Sequence, residues 1–211
     1  HPVGGGRREG LPHFAARPDD RQRAGAAAAA VQAVVGLVGE ERPLGLDPAG
    51  GEAIPNWARV LAQVVYYFYA WGQLRKKIGA NQVYFSVPTG NFGDIFAGYI
   101  AKRMGLPIEK LILATNANNI LCRFINRGDY SIGEVRPTFS PSMDIQKASN
   151  LERYLYYLFN EDTGQLATAM ADFAATGELA FSDEQVAAIK QVFTSTAVDN
   201  DQTLTTIRDF H

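Results

Sequence analysis

The segment whose residue types and spacing best suit ligand binding is a glycine-bounded turn between a predicted strand and a predicted helix. Residues 83–87 are apolar and β-prone, residues 90–94 read Gly-Asn-Phe-Gly-Asp, and an amphipathic run starts at Ile95. Backbone N–H groups in such a turn and in the first turn of a helix lack intrahelical acceptors, and the helix dipole adds partial positive charge there. The pattern therefore predicts a cradle for an anion, of which phosphate is the usual occupant.

The composition of this turn supports close contact with a ligand. Gly90 and Gly93 lack a Cβ atom, so backbone can approach a bound group closely, and Asn91 can donate from its side chain. In open α/β sheets, ligands bind at the carboxyl ends of strands, where this turn is expected. The pattern is neither a Walker loop nor a Gly-x-Gly-x-x-Gly fingerprint. Two glycines alone are equally consistent with a tight turn that only caps a helix.

Two further polar segments are candidates for the same rim. The second predicted strand runs into Thr-Asn-Ala-Asn-Asn at 115–119, which is either part of the rim or a polar loop in which Asn118 or Asn119 caps the next helix. Residues 138–145 are rich in hydroxyls and too irregular for a strand or a helix. Within them, Asp144 can pair with a cation or cap local backbone, and an ordinary Ser-Pro turn is the alternative.

Several kinds of chemistry have no residues to perform them. The histidines are His1, His13 and His211, all outside the predicted core, so we expect neither a metal site nor a Ser–His–Asp arrangement. The single cysteine, Cys122, excludes an internal disulfide and fits a reducing, cytoplasmic location. No lysine lies in a sequence context typical of a Schiff-base former; Lys147, the nearest to a candidate loop, is interpreted as a solvated side chain. A net charge of −2 and the lack of a long apolar run argue against nucleic-acid and membrane partners.

The composition of the chain changes near residue 54. Residues 1–53 are dominated by Arg, Gly, Ala and Pro, and Phe14 is their only aromatic residue, whereas aromatics are frequent from Trp57 onwards. An Ala-rich helix over about 19–37 is the one element predicted in the first segment. We interpret residues 1–53 as a divergent, frameshifted or poorly ordered segment, and residues 54–211 as a partial cofactor-binding α/β domain.

The second segment alternates between strands and helices. Asn56 and Ser182 are predicted to cap helices, and Gly79 is predicted to end the first of them. Strands are predicted at 82–87, 110–115 and 194–198, and helices at 57–78, 94–104, 119–127, 149–160, 163–176, 183–193 and 201–210. This alternation predicts an α/β fold with parallel strands flanked by helices and joined by right-handed crossovers.

A set of sequence blocks resembles the threonine synthase family. They occur in the family's order at about its spacing, cover about 54–211, and are most similar to the longer bacterial and fungal branch. The blocks are Asn-Trp-Ala-Arg-Val-Leu-Ala-Gln (56–63), Tyr-Tyr-Phe (66–68), Pro-Thr-Gly-Asn-Phe-Gly-Asp-Ile (88–95), Gly-Tyr (98–99), Ala-Lys (101–102), Met-Gly-Leu-Pro-Ile (104–108), Ala-Thr-Asn (114–116), Ser-Pro-Ser-Met-Asp-Ile (140–145) and Ser-Asn-x-Glu-Arg (149–153).

The resemblance implies a cofactor, a reaction and a fold. The family uses pyridoxal 5'-phosphate, has the fold type II shared with tryptophan synthase β and the serine/threonine dehydratases, and converts O-phosphohomoserine and water into threonine and phosphate. It implies that the cofactor phosphate is held by Gly90, Asn91, Phe92, Gly93 and Asp94. It implies substrate-side positions at Asn56, Arg59, Ser140 and Ser142. No metal is implied.

The chain also departs from the family pattern. The family's Schiff-base lysine lies in a Phe-Lys-Asp triplet, which does not occur in this sequence, and its Pro-His-Thr-type ring contact would fall just after His211. The family usually has Asp where this chain has Asn119. We therefore expect a middle-to-C-terminal fragment with no catalytic residue of its own and no turnover by itself. A non-catalytic phosphate-binding module, or another lyase of the same fold type such as a dehydratase, is the alternative.

The first segment can be read as the product of a shift in reading frame. Gly-Gly-Gly-Arg at 4–7 can be encoded so that a shifted frame reads Ala-Val-Glu-Gly, and Gly-Leu-Pro at 10–12 can likewise hide Asp-Cys-Gln. Both hidden stretches resemble sequence that the family has upstream of its Asn-Trp-Ala-Arg helix. We hypothesise that residues 1–53 are a frameshifted translation of that sequence.

Overall fold

The computed structural model describes residues 57–79 and 81–210. The predictions for residues 1–53, including the helix at 19–37, and the predicted helix cap and substrate-side position at Asn56 lie outside the described residues. None of the helices in the described ranges is long and apolar enough to cross a membrane.

The described elements follow the predicted alternation of strands and helices. The strands are β1 (Val83–Pro88), β2 (Ile108–Thr115), β3 (Asp129–Ser131), β4 (Glu178–Ala180) and β5 (Phe193–Ala197). The helices are α1 (Trp57–Ile78), α2 (Gly93–Arg103), α3 (Ile120–Arg127), α4 (Leu151–Leu158), α5 (Thr163–Thr176), α6 (Asp183–Val192) and α7 (Asn200–Phe210), with a short 3₁₀ turn at Pro141–Met143.

The main sheet is parallel, as predicted. Its strands lie in the order β1-β2-β5, with Val87 opposite Leu113 on one side of β2 and Ser195 opposite Leu113 on the other. Leu111 and Leu113 are fully buried because β2 is the central strand. The α/β fold class with parallel strands flanked by helices is confirmed.

Two features of the fold were not predicted. β3 and β4 form a separate antiparallel pair in which Tyr130 lies opposite Leu179. Each has only three residues, too few to show a period in the sequence. The helix predicted at 149–160 is shorter, because Asn160 and Glu161 adopt positive φ values of 54° and 66° that end it.

Helix α2 approaches both α1 and β2 unusually closely at Gly98. A Cβ atom on Gly98 would lie 2.7 Å from Tyr67 Cε1 and 2.8 Å from Leu111 Cδ2. The Tyr67 hydroxyl donates a 3.0 Å hydrogen bond to the backbone oxygen of Asp94. Burial raises the pKa of Tyr67, so its hydroxyl stays protonated and remains a donor. These contacts fix the start of α2 relative to the sheet.

Candidate functional site

The glycine turn lies where the sequence predicted it, after β1 ends at Pro88 and before α2 begins at Gly93. Thr89 N–H donates to Ala114 O at 2.8 Å, and Phe96 N–H donates to Phe92 O at 3.1 Å. Between them, the amides of residues 90–95 have no hydrogen-bond acceptor in the described part of the chain. A run of backbone donors at a helix start is the arrangement that binds an anion.

Phe92 shapes the middle of this turn. Its φ of 66° and ψ of 4° are left-handed, a conformation that costs a residue with a Cβ atom about 1–2 kcal/mol. Its ring is fully buried, with ring centroids 6.0 Å from Tyr154 and 5.7 Å from Phe193. Burial of the ring offsets the backbone strain, and turns with such residues can point successive N–H groups into one concavity.

The two glycines of the turn are needed for contacts within the protein. A Cβ atom on Gly90 would lie 3.1 Å from the backbone oxygen of Ser142, and one on Gly93 would lie 3.3 Å from Asn150 Nδ2. The sequence assigned these glycines to close approach by a ligand. The structure brings the predicted substrate-side segment around Ser142 directly against the predicted phosphate turn.

Asp144 organises the polar segment next to the turn. Its carboxylate accepts hydrogen bonds from Thr138 N–H at 2.9 Å, Thr138 Oγ1 at 2.6 Å, Asn116 Nδ2 at 2.6 Å and Asn118 Nδ2 at 3.0 Å. The hydrogen bond from the Thr138 side chain is the largest cause that holds the pKa of Asp144 below its ordinary value. The sequence left open whether Asp144 pairs with a cation or bonds to local backbone. The hydrogen bond from Thr138 N–H corresponds to the second role.

The asparagines after β2 are buried in this network and do not cap α3. Asn116 is 6% exposed and Asn118 2% exposed. Asn118 Nδ2 donates to Arg136 O, and Arg136 N–H donates to Asn118 Oδ1, both at 2.8 Å. Asn119 occupies the N-cap position of α3, but its side chain makes no capping bond. The interpretation of Asn118 or Asn119 as a side-chain cap of α3 is therefore wrong. The hydrogen bonds of Asn116 and Asn118 instead tie the end of β2 to the loop that follows β3.

The other predicted site residues are accessible. Asn91 and Asp94 are exposed in the turn, and Arg59 is exposed in the first turn of α1. Ser142 is exposed, whereas Ser140 is half-buried and its N–H donates to Thr138 Oγ1 at 3.0 Å.

One polar group near this rim was missed by the sequence. Asn150 donates from both N–H (3.1 Å) and Nδ2 (3.0 Å) to the backbone oxygen of Asn91. It falls within the segment predicted as a helix over 149–160, so it carried no distinctive signal. Thr115, which the sequence offered as part of the rim, is 4% exposed at the carboxyl end of β2, and its hydroxyl has no hydrogen-bond partner in the described ranges.

Fold and turn together define an α/β protein in which, within the described ranges, the amides of residues 90–95 lack acceptors at the carboxyl end of a parallel strand. No protein-family model matches the chain. The chain is 47% identical to threonine synthase of Pseudomonas aeruginosa over 158 residues, which are 74% of this chain and 33% of that protein. It is 40% identical to threonine synthase of Schizosaccharomyces pombe over 177 residues, which are 74% and 34% of the two chains.

Solved structures give the same relationship. A pyridoxal-phosphate-bound threonine synthase from Brucella melitensis matches with a TM-score of 0.69 and 47% identity, over 73% of this chain and 33% of that chain. Threonine synthase from yeast matches with a TM-score of 0.69 and 42% identity, over 73% of this chain and 32% of that chain. The predicted resemblance is confirmed: the chain is similar to threonine synthases in sequence and in fold. It spans about a third of the length of the curated relatives it matches.

Proposed function

We propose that this chain is part of a threonine synthase and that its glycine turn holds the phosphate group of pyridoxal 5'-phosphate. The observation that carries this proposal is the run of amides at residues 90–95 without acceptors, at the carboxyl end of β1. The N-terminus of α2 adds partial positive charge at the same point, which favours a dianion. When bound, the cofactor supplies an electron sink, so the protein needs few acid–base groups of its own.

Within the proposed site, each part of the chain has a separate task. The amides of Gly90, Asn91, Phe92, Gly93 and Asp94 donate to phosphate oxygens. Arg59, Ser140 and Ser142 are assigned to the substrate side, and the resemblance implies the same role for Asn56, which lies outside the described residues. The Asp144 network holds the segment with both serines against Gly90, where Ser142 O lies 3.1 Å from the position of a Cβ atom.

The proposed reaction of the whole protein is the conversion of O-phosphohomoserine and water into threonine and inorganic phosphate. The relatives named above are threonine synthases, and this chain spans about a third of their length. This sequence contains no Phe-Lys-Asp triplet, so we propose no catalytic residue within it and expect no turnover by the 211-residue chain alone. We also propose a cytoplasmic location and a division into residues 1–53 and a cofactor-binding unit at 54–211.

Binding of inorganic phosphate tests the cradle directly. Titration of the ¹⁵N-labelled full chain should shift the amide resonances of residues 90–95 first and most. Asn91→Asp places a negative charge beside the phosphate and should weaken binding roughly tenfold or more. The same change at Asn126, which is exposed on α3, is the matched control. Shifts that avoid the turn, or an equal effect of both variants, would contradict the cradle.

A chimera tests the reaction. Residues 54–211 replace the matching segment of the Pseudomonas aeruginosa enzyme, and the release of inorganic phosphate from O-phosphohomoserine is measured together with threonine formation. We expect both products in equal amounts. A soluble chimera that binds pyridoxal 5'-phosphate but forms no threonine would refute the reaction while leaving the cradle in place.

A further inference from the structure

Asn150 occupies the N-cap position of α4 but does not cap that helix. Its φ of −106° and ψ of 1° are not those of an ordinary N-cap residue, and its side chain makes no capping bond. Asparagine is favoured at N-caps because its side-chain oxygen accepts from the next turn. Here the side chain is directed away from its own helix to a residue 59 positions earlier in the chain.

The orientation of the Asn150 side chain is fixed at both ends. Arg153 Nε donates to Asn150 Oδ1 at 3.2 Å, so the amide nitrogen faces the other way. That nitrogen donates to Asn91 O at 3.0 Å, and the backbone N–H of Asn150 donates to the same oxygen at 3.1 Å. One carbonyl of the glycine turn is therefore held by two donors from the start of α4.

Holding this carbonyl determines the direction of an amide in the proposed cradle. In a planar trans peptide, the carbonyl of one residue and the N–H of the next point in opposite directions. Because Asn91 O points at Asn150, the N–H of Phe92 points away from Asn150.

The amide of Ile95 is open for a different reason. Ile95 is the third residue of α2, and the first N–H groups of a helix have no intrahelical acceptor. The Ile95 N–H accordingly has no acceptor in the part of the chain that the structure describes.

Helix α4 also holds the turn through a side chain. Tyr154 lies one turn after Asn150, and its ring centroid is 6.0 Å from that of Phe92. The left-handed backbone of Phe92 is thus fixed on its amide side, through the Asn91 carbonyl, by Asn150 and at its ring by Tyr154. A loose turn would have to be ordered by its ligand, whereas a turn held in this way loses little freedom on binding.

We infer that Asn150 is a positioning residue for the phosphate-binding turn. Its role is to aim the Phe92 amide by holding the Asn91 carbonyl. This inference rests on the proposed function, because the turn is taken to bind a phosphate group. It adds that the affinity of the turn depends on a residue of α4, remote in sequence.

Two variants separate positioning from charge. Asn150→Leu keeps the approximate shape and removes the side-chain donor without adding charge; Asn150→Asp removes the donor and adds a negative charge. Both should weaken the binding of inorganic phosphate to the full chain, the leucine variant by about threefold to tenfold, as expected for the loss of one hydrogen bond. Asn126→Asp, on the exposed face of α3, should bind as the unaltered chain does.

The readouts distinguish this role from a merely structural one. In phosphate-free samples, Asn150→Leu should shift the Phe92 amide resonance while the circular dichroism spectrum stays unchanged. If Asn150→Leu binds phosphate as well as the unaltered chain, or only Asn150→Asp is weakened, positioning by Asn150 is overturned and the cradle stands. If the unaltered chain binds no phosphate, both the cradle and the inference fail.

Discussion

Gly98 offers a sharp test of the position of α2, the helix that starts at the glycine turn. In an exposed helix interior, a change from Gly to Ala stabilises a protein by about 1 kcal/mol. At Gly98 the new Cβ atom would lie 2.7 Å from Tyr67 Cε1 and 2.8 Å from Leu111 Cδ2, well inside the roughly 3.5–4.0 Å separation of carbon atoms in contact. Overpacking of this kind costs about 1–3 kcal/mol.

Neither neighbour can move away easily. Tyr67 is buried and held by its hydrogen bond to Asp94 O at 3.0 Å, and Leu111 is fully buried in the central strand. The overpacking cost is therefore expected to exceed the gain in helix propensity, and Gly98→Ala should lower the free energy of unfolding by up to about 2 kcal/mol.

Gly72 provides the matched control. It lies inside α1, and a Cβ atom there would meet no heavy atom within 4 Å, so Gly72→Ala should raise the free energy of unfolding by about 0.5–1 kcal/mol. Urea unfolding of the full chain, followed by circular dichroism, measures both variants under one set of conditions. If Gly98→Ala is as stable as Gly72→Ala, the close approach of α1, α2 and β2 described above is incorrect.

Three further changes test the surroundings of the site, each by urea unfolding. Phe92→Ala should cost about 3–5 kcal/mol because the ring is fully buried, and Phe92→Gly should be about 1 kcal/mol more stable than Phe92→Ala because φ is 66°; the reverse order would contradict the left-handed turn. Hydrogen bonds from Thr138 lower the pKa of Asp144 from 3.8, so its contribution is present above pH 3.8 and is lost as the pH falls through the lowered value. The difference in urea midpoint between the unaltered chain and Asp144→Asn should therefore shrink as the pH falls below 3.8. A difference that does not change with pH would show that the carboxylate is not involved. Tyr130→Phe removes the acceptor of the Ala148 N–H bond at 2.8 Å and should cost about 1–3 kcal/mol, whereas an unchanged midpoint would mean that water replaces the hydroxyl.

The main elements could be predicted because their signals are local. The strand predicted at 110–115 is Ile108–Thr115 in the structure, and the one predicted at 194–198 is Phe193–Ala197. The first contains the short apolar run at 111–114, which indicates a buried strand without knowledge of its partners. β3 and β4 could not be found in this way, because three-residue strands are defined by their pairing, which joins Tyr130 to the distant Leu179.

In the candidate site, too, the features with local signals could be predicted, whereas those that depend on distant residues could not. The turn at 90–94 combines two glycines with a strand before it and a helix after it, so its position could be predicted from adjacent residues. The tie from Asn150 to Asn91 could not, since it spans 59 positions and an asparagine before a helix normally indicates a cap. For Asp144, the sequence showed a carboxylate among hydroxyls, but only the fold shows that Asn116 and Asn118 satisfy it.

The contact between Asn150 and Asn91 joins the two ends of a long stretch of chain that includes β2, α3 and β3. Detachment of α4 would release Asn91 O and, with it, the ordered donors of the turn. If the turn binds a phosphate group as proposed, its occupancy and the attachment of α4 are thermodynamically linked, and a ligand at a hundred times its dissociation constant would oppose detachment by up to about 2.7 kcal/mol. Hydrogen exchange along α4 would then slow as the ligand concentration rises.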